Sequence, residues 1–170
     1  LQLEELVKSG ADVTPIMSKT AFSTDTRFGT AENFRWQIEN LCAKPILSEL
    51  CEVEPIGPRS LLDLLIIAPC TGNTLAKLAN GITDSSVTLA AKAHLRNKAP
   101  ILVAVSTNDG LGNAAKNIGT LLNSKYIYFV PFGQDDYKNN PNSLVADMTL
   151  IPSAAQSALE LKQLQPVLIR

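Results

Sequence analysis

Six residues between an apolar run and an amphipathic stretch carry the most chemical potential: Pro69, Cys70, Thr71, Gly72, Asn73 and Thr74. They offer two hydroxyls, one amide, one thiol and a glycine that lets the backbone come close to a partner. Placed at a helix start, such residues can hydrogen-bond an anionic or polar ligand, because the first-turn N–H groups have no partner inside the helix. Lys77, one turn on, could add a positive charge. A second small polar set, Ser106, Thr107, Asn108, Asp109 and Gly110, follows the next apolar run. Asp109 is either a cap or a general base. Arg27, in a hydroxyl-rich segment, has the fork that matches a carboxylate. It is otherwise a surface ion-pair partner. Thr71 or Asn73 could equally be a helix cap.

The remaining reactive side chains assemble into nothing. Cys70 stands where a thiolate would be favoured, but it reads as a small packed residue. Cys42 and Cys51 make no CxxC with it, and with His94 as the single histidine there is no zinc set. No metal site is expected. His94 reads as helix surface or an oligomer contact, so no Ser-His-Asp set is available. Asp135 and Asp136 read as solvated acids in a polar loop. No catalytic residue is assigned.

These residues need elements to position them. The apolar run 61–68 reads as a strand buried on both faces and ended by Pro69. Leu75, Leu78, Ala79 and Ile82 then recur at helical spacing, with Gly81 at the stop. Residues 100–105 (PILVAV) form the next buried strand, and Leu111, Ala115, Ile118 and Leu122 outline the helix after the second polar loop. Asp84 is placed to cap a helix over 85–96.

Upstream, residues 1–12 read as an amphipathic helix with Leu3, Leu6 and Val7 on its face. Residues 11–17 read as a strand and 18–30 as a loop. Residues 32–42 read as a helix, and Pro45 as the start of a short second one. Residues 53–59 form an irregular connection. Downstream come a strand at 126–130, a mobile polar loop at 131–143, a strand at 148–151 and a helix at 153–163. The apolar tail 164–170 either packs back as an edge strand or is covered by a partner.

Strands alternating with helices predict a three-layer α/β fold, a flavodoxin- or Rossmann-like parallel sheet with helices on both faces, in one domain over residues 1–170. The first helix begins without a cap, which predicts a preceding strand and loop that this chain does not include. The loops at 18–30, 69–74 and 106–110 all follow strands, so they are expected on one sheet edge around one ligand.

The 170 residues carry a net charge of −1 and 5% aromatics, which gives no footprint for nucleic acid or an anionic membrane surface. No apolar run is long enough to span a membrane, and the first residues lack a signal-peptide pattern. The cysteine usage fits a reducing compartment, the cytoplasm.

Five ordered pieces resemble the flavoprotein family of homo-oligomeric flavin-containing cysteine decarboxylases, and within it the dipicolinate synthase B subunits. They are STDTRFG (23–29), APCTGNTLAKLANGITDS (68–85), VSTNDGLG (105–112), FVPFGQDD (129–136) and LQPVLI (164–169). The resemblance covers essentially the whole chain. It implies a flavodoxin-like oxidoreductase subunit acting with an NAD(P)-binding A subunit. Together they would oxidise dihydrodipicolinate to dipicolinate, in the mother cell of a sporulating bacterium.

The resemblance further implies a homo-oligomer, a small dicarboxylate substrate held by Arg27, and FMN as a possible cofactor. The FMN would be held by Ala68, Pro69, Thr71, Gly72, Asn73, Thr74, Lys77, Ser106, Thr107 and Asn108, while NAD(P) would come through the partner subunit. The family's decarboxylases carry an early active-site histidine, a Pro-x-Met-Asn loop and a flap cysteine. Here Asn108 matches the asparagine, the methionine is gone and residues 131–143 hold no cysteine. A peptidyl-cysteine-type decarboxylase is therefore the alternative enzyme, and a non-catalytic subunit that stabilises its partner is the alternative outside catalysis.

Overall fold

The computed structural model describes residues 2–169. Leu1 and Arg170, which the sequence places in the first helix and the tail, lie outside the described residues. The sheet is built around β2 (Ile101–Thr107), whose first five residues are all buried. Successive side chains point to opposite faces, so burial of five in a row means that both faces are covered. On one side β1 (Leu65–Cys70) runs parallel to it, with Leu65 opposite Ile101 and Cys70 opposite Val105. β3 (Ile127–Phe129) also runs parallel, with Ile127 opposite Ile101.

The sheet is not all parallel, and this corrects the expectation. Ser106 and Thr107 pair antiparallel with β5 (Leu144–Ala146), which pairs antiparallel with β4 (Phe132–Gly133). Part of the supposed mobile loop is thus a hairpin whose Phe132, Leu144 and Ala146 are buried. The strand expected at 148–151 is instead a 3-10 turn, Met148–Leu150, leading into a helix. Asp147 redirects the chain there: its Oδ1 accepts from the Thr149 N–H at 3.0 Å and from the Thr149 hydroxyl at 2.6 Å.

The helices are α1 (Gln2–Lys8), α2 (Lys19–Ser23), α3 (Ala31–Cys42), α4 (Leu50–Val53), α5 (Ile56–Arg59), α6 (Gly72–Ala79), α7 (Ser86–Leu95), α8 (Ala115–Leu122) and α9 (Ile151–Leu159). They flank a mostly parallel sheet in the flavodoxin-like manner. Among the described residues no helix is long and apolar enough to cross a membrane.

Several local expectations are corrected by non-local partners. Residues 11–17 form no strand; Ile16 makes a single bridge with Leu47, since Leu47 N–H donates to Pro15 O and Met17 N–H to Leu47 O. That pairing holds Leu47 extended, so the helix expected from Pro45 begins only at Leu50. The irregular connection at 53–59 contains α5, where Gly57 lies so close to α7 that a Cβ would sit 3.1 Å from the Ala93 Cβ.

β1 starts later than the apolar run, leaving Leu61 exposed, and continues through Pro69. The ladder shifts register between Ile67 and Cys70, where Pro69 has no N–H to give. Ser85, not Asp84, caps α7: its Oγ accepts from Thr88 N–H, in a capping box with Thr88. In α8 the buried residues are Asn117, Ile118 and Leu121, while Leu111 precedes the helix and Ala115 and Leu122 are exposed. The last helix ends at Leu159, which frees Gln163 to pair with β3. Its Oε1 accepts from Phe129 N–H at 2.8 Å and its Nε2 donates to Phe129 O at 2.7 Å. The tail packs back along β4, with Phe132 N–H donating to Val167 O and Ile169 N–H to Phe132 O.

His94 is not a surface residue. It is 1% exposed, and its Nε2–H donates to Pro100 O at 2.9 Å, tying the end of α7 to the start of β2. Burial pushes its pKa below the ordinary 6.5, against an upward pull from the Pro100 carbonyl and Asp63. The neutral form is therefore the folded form. Stability should be full above the ordinary histidine pKa and fall as the pH drops from there toward the lowered folded value, because the unfolded chain takes up the proton first. Urea midpoints between pH 7 and pH 5 check this. His94→Gln should flatten that part of the profile, and an unchanged slope would refute the assignment.

Candidate functional site

The register sets the site. With Cys70 opposite Val105, the chain leaves β1 at Thr71 and the last residues of β2 at one level of one sheet edge. Two loops then face each other across an open cleft of about 590 Å³, lined by Thr71, Gly72, Asn73, Ser106, Thr107, Asn108 and Asp109. That volume lies within the range of small-molecule and cofactor sites.

On the β1 side, Thr71 is the N-cap of α6. Its Oγ1 accepts from Thr74 N–H at 3.5 Å and lies 3.3 Å from the Thr74 hydroxyl. Its carbonyl accepts from Leu75 N–H. The Gly72 and Asn73 N–H groups have no partner among the described residues, as the first turn of a helix requires, and they carry the positive end of its dipole.

Gly72 is required sterically. A Cβ there would lie 2.7 Å from Thr107 Oγ1. The absence of that carbon lets the two loops approach.

On the β2 side, Thr107 Oγ1 accepts from Asp109 N–H at 3.3 Å, and Asp109 Oδ1 accepts from Asn113 N–H at 3.1 Å. Neither the Asn73 nor the Asn108 amide is used by another group among the described residues, so both can meet a ligand. The lining contains no cationic side chain, and its single formal charge is Asp109. A cradle of free N–H groups, hydroxyls and unpartnered amides fits the phosphate and polar ring edge of a flavin.

The structure thus brings together Thr71, Gly72, Asn73, Ser106, Thr107 and Asn108 from the expected set. It adds Asp109, which sequence reasoning left as a cap or base outside the binding set. The signal that could have found it is an Asp-Gly pair directly after a buried strand. Ala68 and Pro69 lie in the end of β1 and do not line the cleft. Thr74 is turned to Thr71.

Lys77 is committed elsewhere, to Asp84 at 2.8 Å. The Lys77 hydrogen bond holds the Asp84 carboxyl below the usual carboxylate range. The third expected loop does not reach the cleft. Residues 26–29 close a tight turn by reciprocal Thr26 and Gly29 backbone bonds, and Arg27 lies exposed over the Phe28 ring at 4.8 Å.

Cys70 and Asp136 are committed elsewhere. Cys70 is fully buried, and burial pushes its thiol up to about 12, so no thiolate forms near neutral pH. Asp136 is tied to Asn139 and Asn140 in its own loop, and those hydrogen bonds, that from the Asn139 side chain first, hold its carboxyl low. Among the described residues no group of three His, Cys, Asp or Glu side chains is placed to hold a metal ion.

Comparison with known proteins shows the family of the chain. The family model described as flavoprotein matches residues 1–149. The B subunit of dipicolinate synthase from Bacillus subtilis (strain 168) is 46% identical over 168 residues, covering 99% of this chain and 84% of that protein. The crystal structure of the corresponding B subunit from Bacillus halodurans superposes with a TM-score of 0.92 at 47% identity, covering 99% of this chain and 87% of the other. The FMN-dependent cysteine decarboxylase SpaF superposes with a TM-score of 0.67 at 18% identity, over 94% of this chain and 86% of its own, a likeness of fold.

Proposed function

Because the chain belongs to the flavoprotein family, among the dipicolinate synthase B subunits, we propose that it serves as the B subunit of a dipicolinate synthase. In this reading it contributes to the NAD(P)-dependent oxidation of dihydrodipicolinate to dipicolinate during endospore formation. The work takes place in the mother-cell cytoplasm, in a homo-oligomer joined to an NAD(P)-binding A subunit. The observation that carries the reading is the 46% identity across 99% of the chain to a protein of that name.

The cleft supplies the binding half of the proposal. A bound FMN would supply two-electron redox chemistry. Thr71, Gly72, Asn73, Ser106, Thr107 and Asn108 would hold it, with its phosphate on the unpaired N–H groups of the first turn of α6. Arg27 lies outside the cleft, so the cleft itself would meet a dicarboxylate substrate with hydroxyls, amides and N–H groups and with no cation.

The decarboxylase alternative loses support from the same residues. The single histidine is buried against Pro100, the cleft-side cysteine is a buried thiol, and the decarboxylase neighbour shares only the fold.

Mixing the chain with its A subunit, precursor and NAD(P) tests the reading. Dipicolinate should form faster than with the A subunit alone, and equal rates would refute the assignment. FMN titrated into the chain should bind. Asn73→Ala should weaken it by about tenfold, the scale of one lost hydrogen bond to a charged or polar ligand group.

A further inference from the structure

We propose that Asp109 is a positioning residue of the cleft, which sets the Asn108 amide toward the ligand and takes no part in proton transfer. The proposal rests on the reading of the cleft as a flavin site. Asp109 is the most heavily bonded residue of the second loop. Its N–H donates to Thr107 Oγ1, its Oδ1 accepts from Asn113 N–H, and its carbonyl accepts from Gly112 N–H at 3.1 Å and Ala114 N–H at 3.2 Å. These bonds wrap residues 109–114 into one closed turn between the end of β2 and α8.

Gly112 makes room for that turn. A Cβ at Gly112 would lie 2.1 Å from Asp109 Oδ1, so the carboxylate occupies the space the glycine leaves. Gly110 closes the other side: a Cβ there would meet Leu144 of β5 at 2.6 Å. Asn108 stands between two fixed neighbours, Thr107 in the β2 ladder and Asp109 in the turn, while its own amide has no partner among the described residues. Both Asn108 and Asp109 line the cleft. A backbone held this way places the root of the Asn108 side chain at a fixed point of the cleft, which is how positioning adds to affinity.

What the turn needs from Asp109 is an acceptor at Oδ1, and an asparagine supplies one without the charge. A general base needs the carboxylate itself. The substitutions Asp109→Asn and Asp109→Ala therefore separate the two roles, and Gly112→Ala attacks the same bond from the other side.

In the assembled enzyme, Asp109→Ala and Gly112→Ala should each weaken FMN by about tenfold, whereas Asp109→Asn should stay within about twofold of the parent and keep its pH profile. Asp109→Asn as impaired as Asp109→Ala, or a pH profile that loses a limb, would overturn the proposal in favour of a charge or base role. Unimpaired Asp109→Ala would overturn it outright.

If the parent chain binds no FMN, the flavin reading fails, and the positioning claim is still read directly. Amide NMR of the chain alone should show the Asn108 side-chain and Asn113 backbone signals displaced in Asp109→Ala and Gly112→Ala but near their parent positions in Asp109→Asn. Unmoved Asn108 signals in all three would overturn it. Far-UV circular dichroism of each variant separates a displaced turn from a chain that has not folded.

Discussion

Gly72→Val should weaken ligand binding in the cleft by about a hundredfold while leaving the chain folded. Beyond its chain neighbours and its own helix, the atoms among the described residues within 4 Å of a Cβ at Gly72 belong to Thr107, with Oγ1 at 2.7 Å and Cβ at 3.6 Å. Thr107 cannot turn away without cost, because its Oγ1 accepts the Asp109 N–H and its backbone pairs with Leu144. The valine branches must therefore part the two loops. A shift of about 1 Å between groups that meet one ligand costs affinity on the order of a hundredfold.

The first turn of α6 tolerates the side chain otherwise, so a thermal midpoint within a few degrees of the parent is expected. Titration of FMN, with circular dichroism as the control, checks both halves. Gly72→Ala combined with Thr107→Ala removes the colliding oxygen, so its loss should be less than the sum of the two single losses. Full binding by Gly72→Val would mean that the loops need not approach.

The largest stability effect should come from Phe129→Ala. Phe129 is fully buried in β3 and its ring lies 5.8 Å from that of Phe132, tilted by 48°. Truncating a buried phenylalanine costs about 3–5 kcal/mol through lost transfer and the cavity left behind. A domain of this kind is stable by only about 5–15 kcal/mol. The change should appear as a large drop in the urea midpoint with an unchanged slope. The Gln163 amide bonds to the Phe129 backbone would remain, since they do not involve the ring. A drop below about 1 kcal/mol would show that β3 collapses onto the space with little penalty.

The elements that position the cleft were legible because their signals are local. The apolar run of β2 requires burial on both faces, wherever the strand lies. α6 announces itself by Thr71, by the helical recurrence of Leu75 and Leu78, and by Gly81, which adopts φ +68° just past the helix end. A polar loop after each of two parallel strands must come out on the same edge, so Thr71–Asn73 and Ser106–Asn108 could be paired from order alone. Two of the five pieces that carry the family resemblance, 68–85 and 105–112, contain these loops.

What the tertiary structure decided are the pairings between distant residues. The hydroxyl-rich loop belongs around the ligand only if residues 11–17 form a strand; the Ile16–Leu47 bridge replaces that strand, and Arg27 lies outside the cleft. Lys77 reads as a free cation until the chain brings Asp84 to it. His94 sits in an alanine-rich helix with no sign of burial until Pro100 returns beside it. The antiparallel β4–β5 hairpin is hidden in a polar segment, because only Phe132 and Leu144 give it away, and they pair with Ala146 of β5 and Thr107 of β2. By itself the sequence determined which segments are strands, loops and helices near the cleft, since capping, turn chemistry and apolar period act within a few residues. Which charges were left to face a ligand was decided by packing, since an ion pair or a buried imidazole depends on what the fold brings within a few ångströms.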